Sequence, residues 1–171
     1  MARLRVVMAA LLLGLAGCGG DSDGDDGGGG GKPPPPPDLR PNVTGSYAST
    51  GTLRAVVLGQ TQSTDVQDTV HIKATESSQS GLSISSETLR CERNLPATMT
   101  GETTFSVGQG ACEIAHVQDG KDCLIKLTVT SGQGSREAQA ALRLSLQGDF
   151  STTCFPLPIS GQFTLDLTGT R

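Results

Sequence analysis

The sequence predicts an all-β domain of about eight antiparallel strands, preceded by a segment that does not fold. Apolar and polar residues alternate with period two in several runs, most strictly over residues 138–146. Short clusters rich in Gly, Ser, Asp and Gln separate these runs, as in 77–81, 118–121 and 131–135. Thr and Val are plentiful, and both suit strands. Because most connections are short, neighbouring strands should form antiparallel hairpins.

The alternation places the strands at eight positions along the chain. We predict strands over residues 44–58, 66–76, 82–86, 89–99, 103–108, 123–130, 136–147 and 159–170. Helix competes only over 135–147, through its Ala, Leu, Arg and Gln content, and the strict alternation there favours a strand. An even number of strands in a meander lets the first pair with the last, which closes a small barrel without edges. A two-sheet β-sandwich of the same strands is the alternative.

Residues 1–17 have the three parts of a signal peptide. Arg3 and Arg5 form a basic start without acidic residues, and 6–16 are apolar or small. Eleven helical residues span about 16 Å, and crossing a bilayer takes about 20 residues. The sequence therefore predicts a cleaved export signal and no spanning helix in this segment.

The residues Leu15-Ala16-Gly17-Cys18 stand at the end of the apolar run. They resemble the lipobox of bacterial lipoproteins. This resemblance implies that a diacylglycerol is attached to the Cys18 thiol, that the chain is cut before Cys18, and that the new amino group is acylated, with palmitate the typical acyl chain. Several acyl chains hold a protein stably in a lipid bilayer, which would be the first partner. Gly19 follows the cysteine where inner-membrane lipoproteins carry Asp, so the resemblance implies an exported protein anchored in the cell envelope, at the outer membrane.

We interpret residues 18–41 as the lipidated cysteine followed by a disordered tether. Residues 19–31 are mostly Gly and Asp with nothing to bury, and 33–37 are five prolines that form a short stiff rod. Asp21, Asp23 and Asp25 are spaced like the start of an EF-hand calcium loop, but Asp26 and Lys32 stand where that loop needs Gly and Glu. We predict no metal site here, and one folded domain over residues 42–171.

Four cysteines remain after Cys18, and an even number in an exported domain predicts two disulfides. A turn centred near 101–102 places Cys91 opposite Cys112, so that pair is favoured, and Cys123–Cys154 follows by elimination. In an up-and-down barrel all four lie at the mouth opposite the tether.

Composition and motifs exclude several classes of function. Zinc binding is disfavoured because the cysteines lack paired C-x-x-C spacing and the chain has only two histidines. Loss of Arg3 and Arg5 with the signal leaves a net charge of −6, which argues against a nucleic-acid partner. No G-x-S-x-G, P-loop or H-E-x-x-H motif occurs. We therefore expect no enzymatic activity and no cofactor, and we place His71 on the outward face of its strand.

The longest predicted connection, residues 109–122, is the candidate partner loop. Its polar side chains surround a turn at Gly120, and long loops without structure of their own are often functional. The predicted contact residues for a protein or glycan partner are Glu113, His116, Asp119, Lys121 and Asp122.

The two ends of the domain carry a second resemblance. Gly45-Ser46-Tyr47 and the closing GQFTLDLTGTR are similar to small lipocalin-like domains of bacterial lipoproteins, although the Trp of the lipocalin G-x-W signature is absent. The expected function is a structural or interaction module of the envelope. The alternatives are binding of a small apolar ligand inside the barrel, which the resemblance implies, and inhibition of an exported protease. A packed interior would favour the module.

Overall fold

The computed structural model describes residues 34–171, apart from 119–120, 138–140, 154–157 and the side chains of 116–118 and 121–122. The predicted signal peptide, Cys18, most of the tether, Asp119 and Cys154 lie outside these residues. No helix within the described ranges is long and apolar enough to cross a membrane.

The described chain forms ten β-strands and one 3₁₀ turn at Arg40–Asn42. In chain order the strands are β1 (Gly45–Val57), β2 (Gln60–Ala74), β3 (Gly81–Ser86), β4 (Arg90–Cys91), β5 (Leu95–Met99), β6 (Thr104–Val107), β7 (Gly110–Gln118), β8 (Lys121–Arg136), β9 (Leu142–Thr152) and β10 (Ile159–Thr170).

The strands pair antiparallel in a ring, which confirms the predicted all-β meander and its closure. The order round the ring is β1–β2–β3–β5–β6–β8–β9–β10, and β10 pairs again with β1. Strands β7 and β4 extend the sheet beyond β8 on one side. The closure is ring-like, but the strands are not spread evenly round an axis.

Strands β6 and β7 form a single interrupted strand against β8. Their register with β8 does not change across the break, since Thr104 pairs with Ser135 and, further along, Gln118 pairs with Lys121. The prediction of a 14-residue loop over 109–122 is therefore wrong. The backbone groups of 110–118 are used in the β7–β8 ladder, which leaves only two residues between the paired positions.

Strand β8 runs through the Gly- and Ser-rich residues 131–135, which the sequence had suggested were a turn. Gly132 and Gly134 belong to the strand because large neighbours fill the space beside them. A side chain on Gly134 would collide with the ring of Phe105, its cross-strand partner, and one on Gly132 would meet Leu146. A bulge between Val129 and Ser131 shifts the register with β9 at this point.

Two other predicted strands have different bounds. The predicted strand 136–147 is divided because β8 ends at Arg136 and β9 begins at Leu142, with the Glu137 N–H donating to the Ala141 carbonyl between them. The predicted strand 89–99 is divided into β4 and β5, which pair with β7 and β6 in registers that differ by one residue.

The β1–β2 hairpin is longer than predicted, because its turn has two residues. Leu58 and Gly59 have φ angles of 49° and 77°, and Val57 pairs with Gln60 on either side of them. Positive φ at both positions is the type I′ turn that matches the twist of paired strands. The polar residues 60–65, predicted as loop, therefore continue β2.

Buried apolar side chains fill the interior of the ring. Every long strand contributes alternate residues to this core, as period-two alternation requires. The largest fully buried side chains are Tyr47, Phe105, Phe163, Ile72, Leu82, Leu95, Leu127, Leu142, Leu146 and Leu165. The Tyr47 hydroxyl donates to the Val43 carbonyl over 2.7 Å, so the polar tip of this ring is also satisfied.

One end of the ring, which we call the tether end, is closed by residues 38–44. The Arg40 guanidinium donates to the carbonyls of Thr75 and Ser78, and Arg136 donates to the Asn42 carbonyl over 2.6 Å. Hydrogen bonds from Arg40 also lower the pKa of the exposed Asp38 carboxyl. The chain that follows the tether is thus fixed to the barrel.

The opposite end, which we call the cystine end, carries the β1–β2 turn and the Cys91–Cys112 disulfide. The two cysteines pair directly in the β4–β7 ladder, with Cα atoms 3.8 Å apart, which confirms the predicted bond. Cys123, on β8, is also disulfide-bonded. Its predicted partner Cys154 lies outside the described residues, so that pairing stays a prediction.

Candidate functional site

The outer wall formed by β6, β8, β9 and β10 presents two rows of polar side chains. Inward positions on these strands hold Phe105, Leu144 and Leu167, so the residues between them face outward. Each row crosses all four strands through directly paired positions. The first row is Thr104, Ser135, Arg143 and Thr168, and the second is Ser106, Gln133, Ser145 and Asp166.

These rows line a groove of about 680 Å³, which we call the wall groove. Thr100 closes it at the tether end. Four strands spaced about 4.8 Å apart make a surface about 14 Å across. The volume lies in the range of small-ligand sites, roughly 300–1,000 Å³.

The two charged groups of the wall groove both have partners. The Asp166 carboxylate accepts hydrogen bonds from Arg54 Nη1 over 2.6 Å and from Ser145 Oγ over 2.7 Å. Arg143 Nε lies 2.9 Å from Glu137 Oε1. These pairs are about half exposed and add little stability, but they neutralise the charge of the groove.

Several neutral groups of the groove have no partner. Within the described ranges, the side chains of Ser106, Gln133, Ser135 and Thr168 make no hydrogen bond, whereas Thr100 Oγ1 donates to Thr104 Oγ1 over 3.1 Å. Hydroxyl and amide groups both donate and accept. The wall groove can therefore exchange hydrogen bonds with a ligand without first breaking internal ones.

The predicted partner-loop residues lie elsewhere, on the β7–β8 hairpin. Glu113 is on β7, directly opposite Arg90 on one side and Lys126 on the other. His116 belongs to β7, and Lys121 and Asp122 belong to β8. Glu113 does not line the wall groove, and Asp119 and the side chains of His116, Lys121 and Asp122 lie outside the described part of the chain.

A serine, a histidine and a glutamate meet on the outer face of β1 and β2. Ser46 Oγ lies 2.8 Å from Nδ1 of His71, and Nε2 of His71 lies 3.9 Å from Glu87 Oε1. The order of the three side chains resembles the nucleophile, base and acid of a catalytic triad. However, the His71 side chain is 33% exposed and that of Glu87 is 67% exposed, and none of the three lines the wall groove. This geometry favours a solvent-facing contact with one hydrogen bond, between Ser46 and His71, and it places His71 on the outward face as predicted.

The described residues hold no group of three or more His, Cys, Asp or Glu side chains that could bind a metal ion.

Sequence reasoning missed the wall groove because its residues come from four separate strands. The only signal was their type, since polar and charged residues alternate with buried leucines in 143–147 and 164–168. That alternation places them outside without showing which strands lie side by side.

Comparison with known proteins shows a structural likeness. A crystal structure from Bacteroides fragilis, described as a "putative outer membrane protein", superposes with a TM-score of 0.43 at 15% sequence identity. The match covers 78% of this chain and 53% of that one, so this chain spans about half the length of its neighbour. No family model and no curated protein matches the sequence.

Proposed function

We propose that this protein is a lipid-anchored module of the bacterial cell envelope, without enzymatic activity, that binds a partner on the outer surface of its β-domain. The observation that carries the proposal is the contrast between a filled interior and a polar concave outer wall. The lipobox resemblance at Cys18 supports the anchor.

The filled interior argues against a lipocalin-like role. A barrel that carries a small apolar ligand needs a lumen lined by apolar side chains. Here Tyr47, Phe105 and Phe163 occupy the interior and are nearly inaccessible to solvent. The protease-inhibitor alternative relied on a long exposed loop, and residues 110–118 and 121–129 of that region are paired strands.

Residues 38–44 fix the start of the domain at the tether end, and none of them lines the wall groove. The β7–β8 hairpin, at the cystine end, is a second candidate surface for a partner, because Leu124 on it is 50% exposed. An outer-membrane location follows from Gly19 in the lipobox rule and is part of the same proposal.

The anchor is tested with a Cys18→Ala variant of the full precursor. We expect the wild type to fractionate with outer membranes and to give an intact mass that includes acyl chains on Cys18. The variant, which lacks the thiol, should be released or remain unprocessed. Ser22→Ala, just beyond the lipobox, is the matched control and should behave as the wild type. Membrane retention of Cys18→Ala at the wild-type level, or an unmodified wild-type N-terminus, would contradict the proposal.

A further inference from the structure

We infer that the wall groove binds a neutral polysaccharide chain. This inference rests on the proposed role as an envelope binding module and names its ligand and its site. The argument uses the charge, the hydrogen-bonding capacity and the apolar content of the groove.

Charge favours an uncharged ligand. Asp166 is paired with Arg54, and Arg143 is paired with Glu137, so neither sign is in excess in the groove. An anionic chain would bring its charge near Asp166 without an unpaired cation to meet it. A cationic peptide would bring its charge near Arg143.

Hydrogen-bonding capacity favours a polyol. Ser106, Gln133, Ser135 and Thr168 offer side chains that donate and accept and have no internal partner within the described part of the chain. Each oxygen of an ionised carboxylate can accept about two hydrogen bonds, and each Asp166 oxygen accepts one. The remaining hydrogen-bonding capacity of the groove suits the hydroxyl groups of a sugar, which also donate and accept hydrogen bonds.

Peptide and lipid ligands fit this surface less well. An extended peptide binds a sheet by pairing with a free strand edge, but the backbone groups of β8 and β9 at the groove are used in ladders on both sides. A lipid needs exposed apolar surface. Phe105, Leu144 and Leu167 line the groove but are at most 3% exposed. The large exposed apolar side chains of the described residues, Val56, Leu58 and Leu124, lie outside it.

The experiment titrates the full mature protein in detergent with neutral hexasaccharides of glucose, mannose and N-acetylglucosamine, and with an acidic hexagalacturonate, by calorimetry. We expect at least one neutral hexasaccharide to bind and the acidic one not to bind. Gln133→Trp places a bulky side chain in the groove and should weaken binding by at least about tenfold. Gln133→Ala, which removes only hydrogen-bonding groups, should weaken it less, and it keeps the test valid if the Trp variant does not fold.

Gln62→Trp and Gln62→Ala are the matched controls. Gln62 is an exposed glutamine on β2, outside the groove, and both variants should bind as the wild type does. Absence of binding to every neutral hexasaccharide, or equal binding by the Gln133 variants, would overturn the inference. Capture of a protein partner through the β7–β8 hairpin, without sugar binding, would overturn it while leaving the envelope module in place. Membrane retention of Cys18→Ala at the wild-type level, or an unmodified wild-type N-terminus, would overturn the anchor and leave the groove result to stand by itself.

Discussion

A single carboxylate organises the crossing from β3 to β4. Asp68 is only 8% exposed and accepts hydrogen bonds from Ser86 Oγ and from the backbone N–H groups of Glu87 and Thr88, at 2.5, 3.1 and 3.0 Å. The same Ser86 oxygen accepts from the Leu89 N–H over 2.7 Å. Of these N–H groups, that of Thr88 has Asp68 as its acceptor, whereas that of Glu87 also donates to the Thr69 carbonyl over 3.2 Å.

Replacing Asp68 with Ala should destabilise the domain. The substitution removes the acceptor of the Thr88 N–H and of the Ser86 hydroxyl, which costs about 1–3 kcal/mol. Urea unfolding followed by circular dichroism measures the change. Asp65→Ala is the matched control, because Asp65 lies three residues earlier on β2 and is exposed. Equal stability of the two variants would show that the Asp68 contacts contribute nothing net.

The turn residue Leu58 has a conformation that leucine disfavours. Its φ of 49° lies in the left-handed region, and its side chain is 98% exposed. Asn is favoured at this position of a type I′ turn, where a residue with a bulky side chain is strained by about 1–2 kcal/mol. We expect Leu58→Asn to raise the melting temperature by a few degrees. Leu58→Ala removes the same apolar surface without the turn preference and should have a smaller effect; an equal rise in both variants would assign the gain to lost apolar exposure.

At the scale of elements, the Cys91–Cys112 bond fixes the two-residue strand β4 to β7. Two ladder pairs are too few to hold a strand, and β5 continues from β4 in a shifted register. The bond closes a loop with a sequence separation of 21 residues. The disulfide therefore holds β4 in place, which two ladder pairs alone would not do.

Replacing both Cys91 and Cys112 with Ser should lower the free energy of unfolding by about 3 kcal/mol, by the loop-entropy estimate. Denaturation without reductant measures it, and the Cys123 disulfide remains intact under those conditions. Ser106→Ala, an exposed substitution on β6, is the control and should change little. A double variant as stable as the wild type would mean that the crossing is held by Asp68 and packing.

At the scale of the whole molecule, alternation predicted the fold, and local interruptions of the alternation caused the errors. The leucines of 142–146 and 165–167, and the pairing of β1 with β10, follow from the period of two and from an even strand number. Residues 109–122 were assigned to a loop because glycines and charges interrupt the pattern. The pairing of Gln118 with Lys121 shows that the Asp-Gly dipeptide between them was a hairpin signal.

The wall groove could be predicted only in part. That Ser145 and Asp166 face outward follows from the leucines beside them. Their meeting with Gln133 and Ser106 depends on the order of strands round the ring and on the bulge near Val129, neither of which local pattern determines. Binding sites assembled across a sheet are thus less visible in a sequence than the core behind them.

The ring closes through the β1–β10 ladder, which joins strands from the two ends of the domain sequence. Ala48 pairs with Thr170, whereas the rest of the ring joins strands that are near neighbours in the chain. Contacts between distant parts of a chain form slowly, because the intervening residues must first be ordered. A chain that is synthesised with β1 ahead of β10 therefore exposes the open edges of β1 and β9 until β10 is made. That interval, fixed by topology, is when aggregation with other nascent chains is most favoured and when a chaperone would protect this protein most.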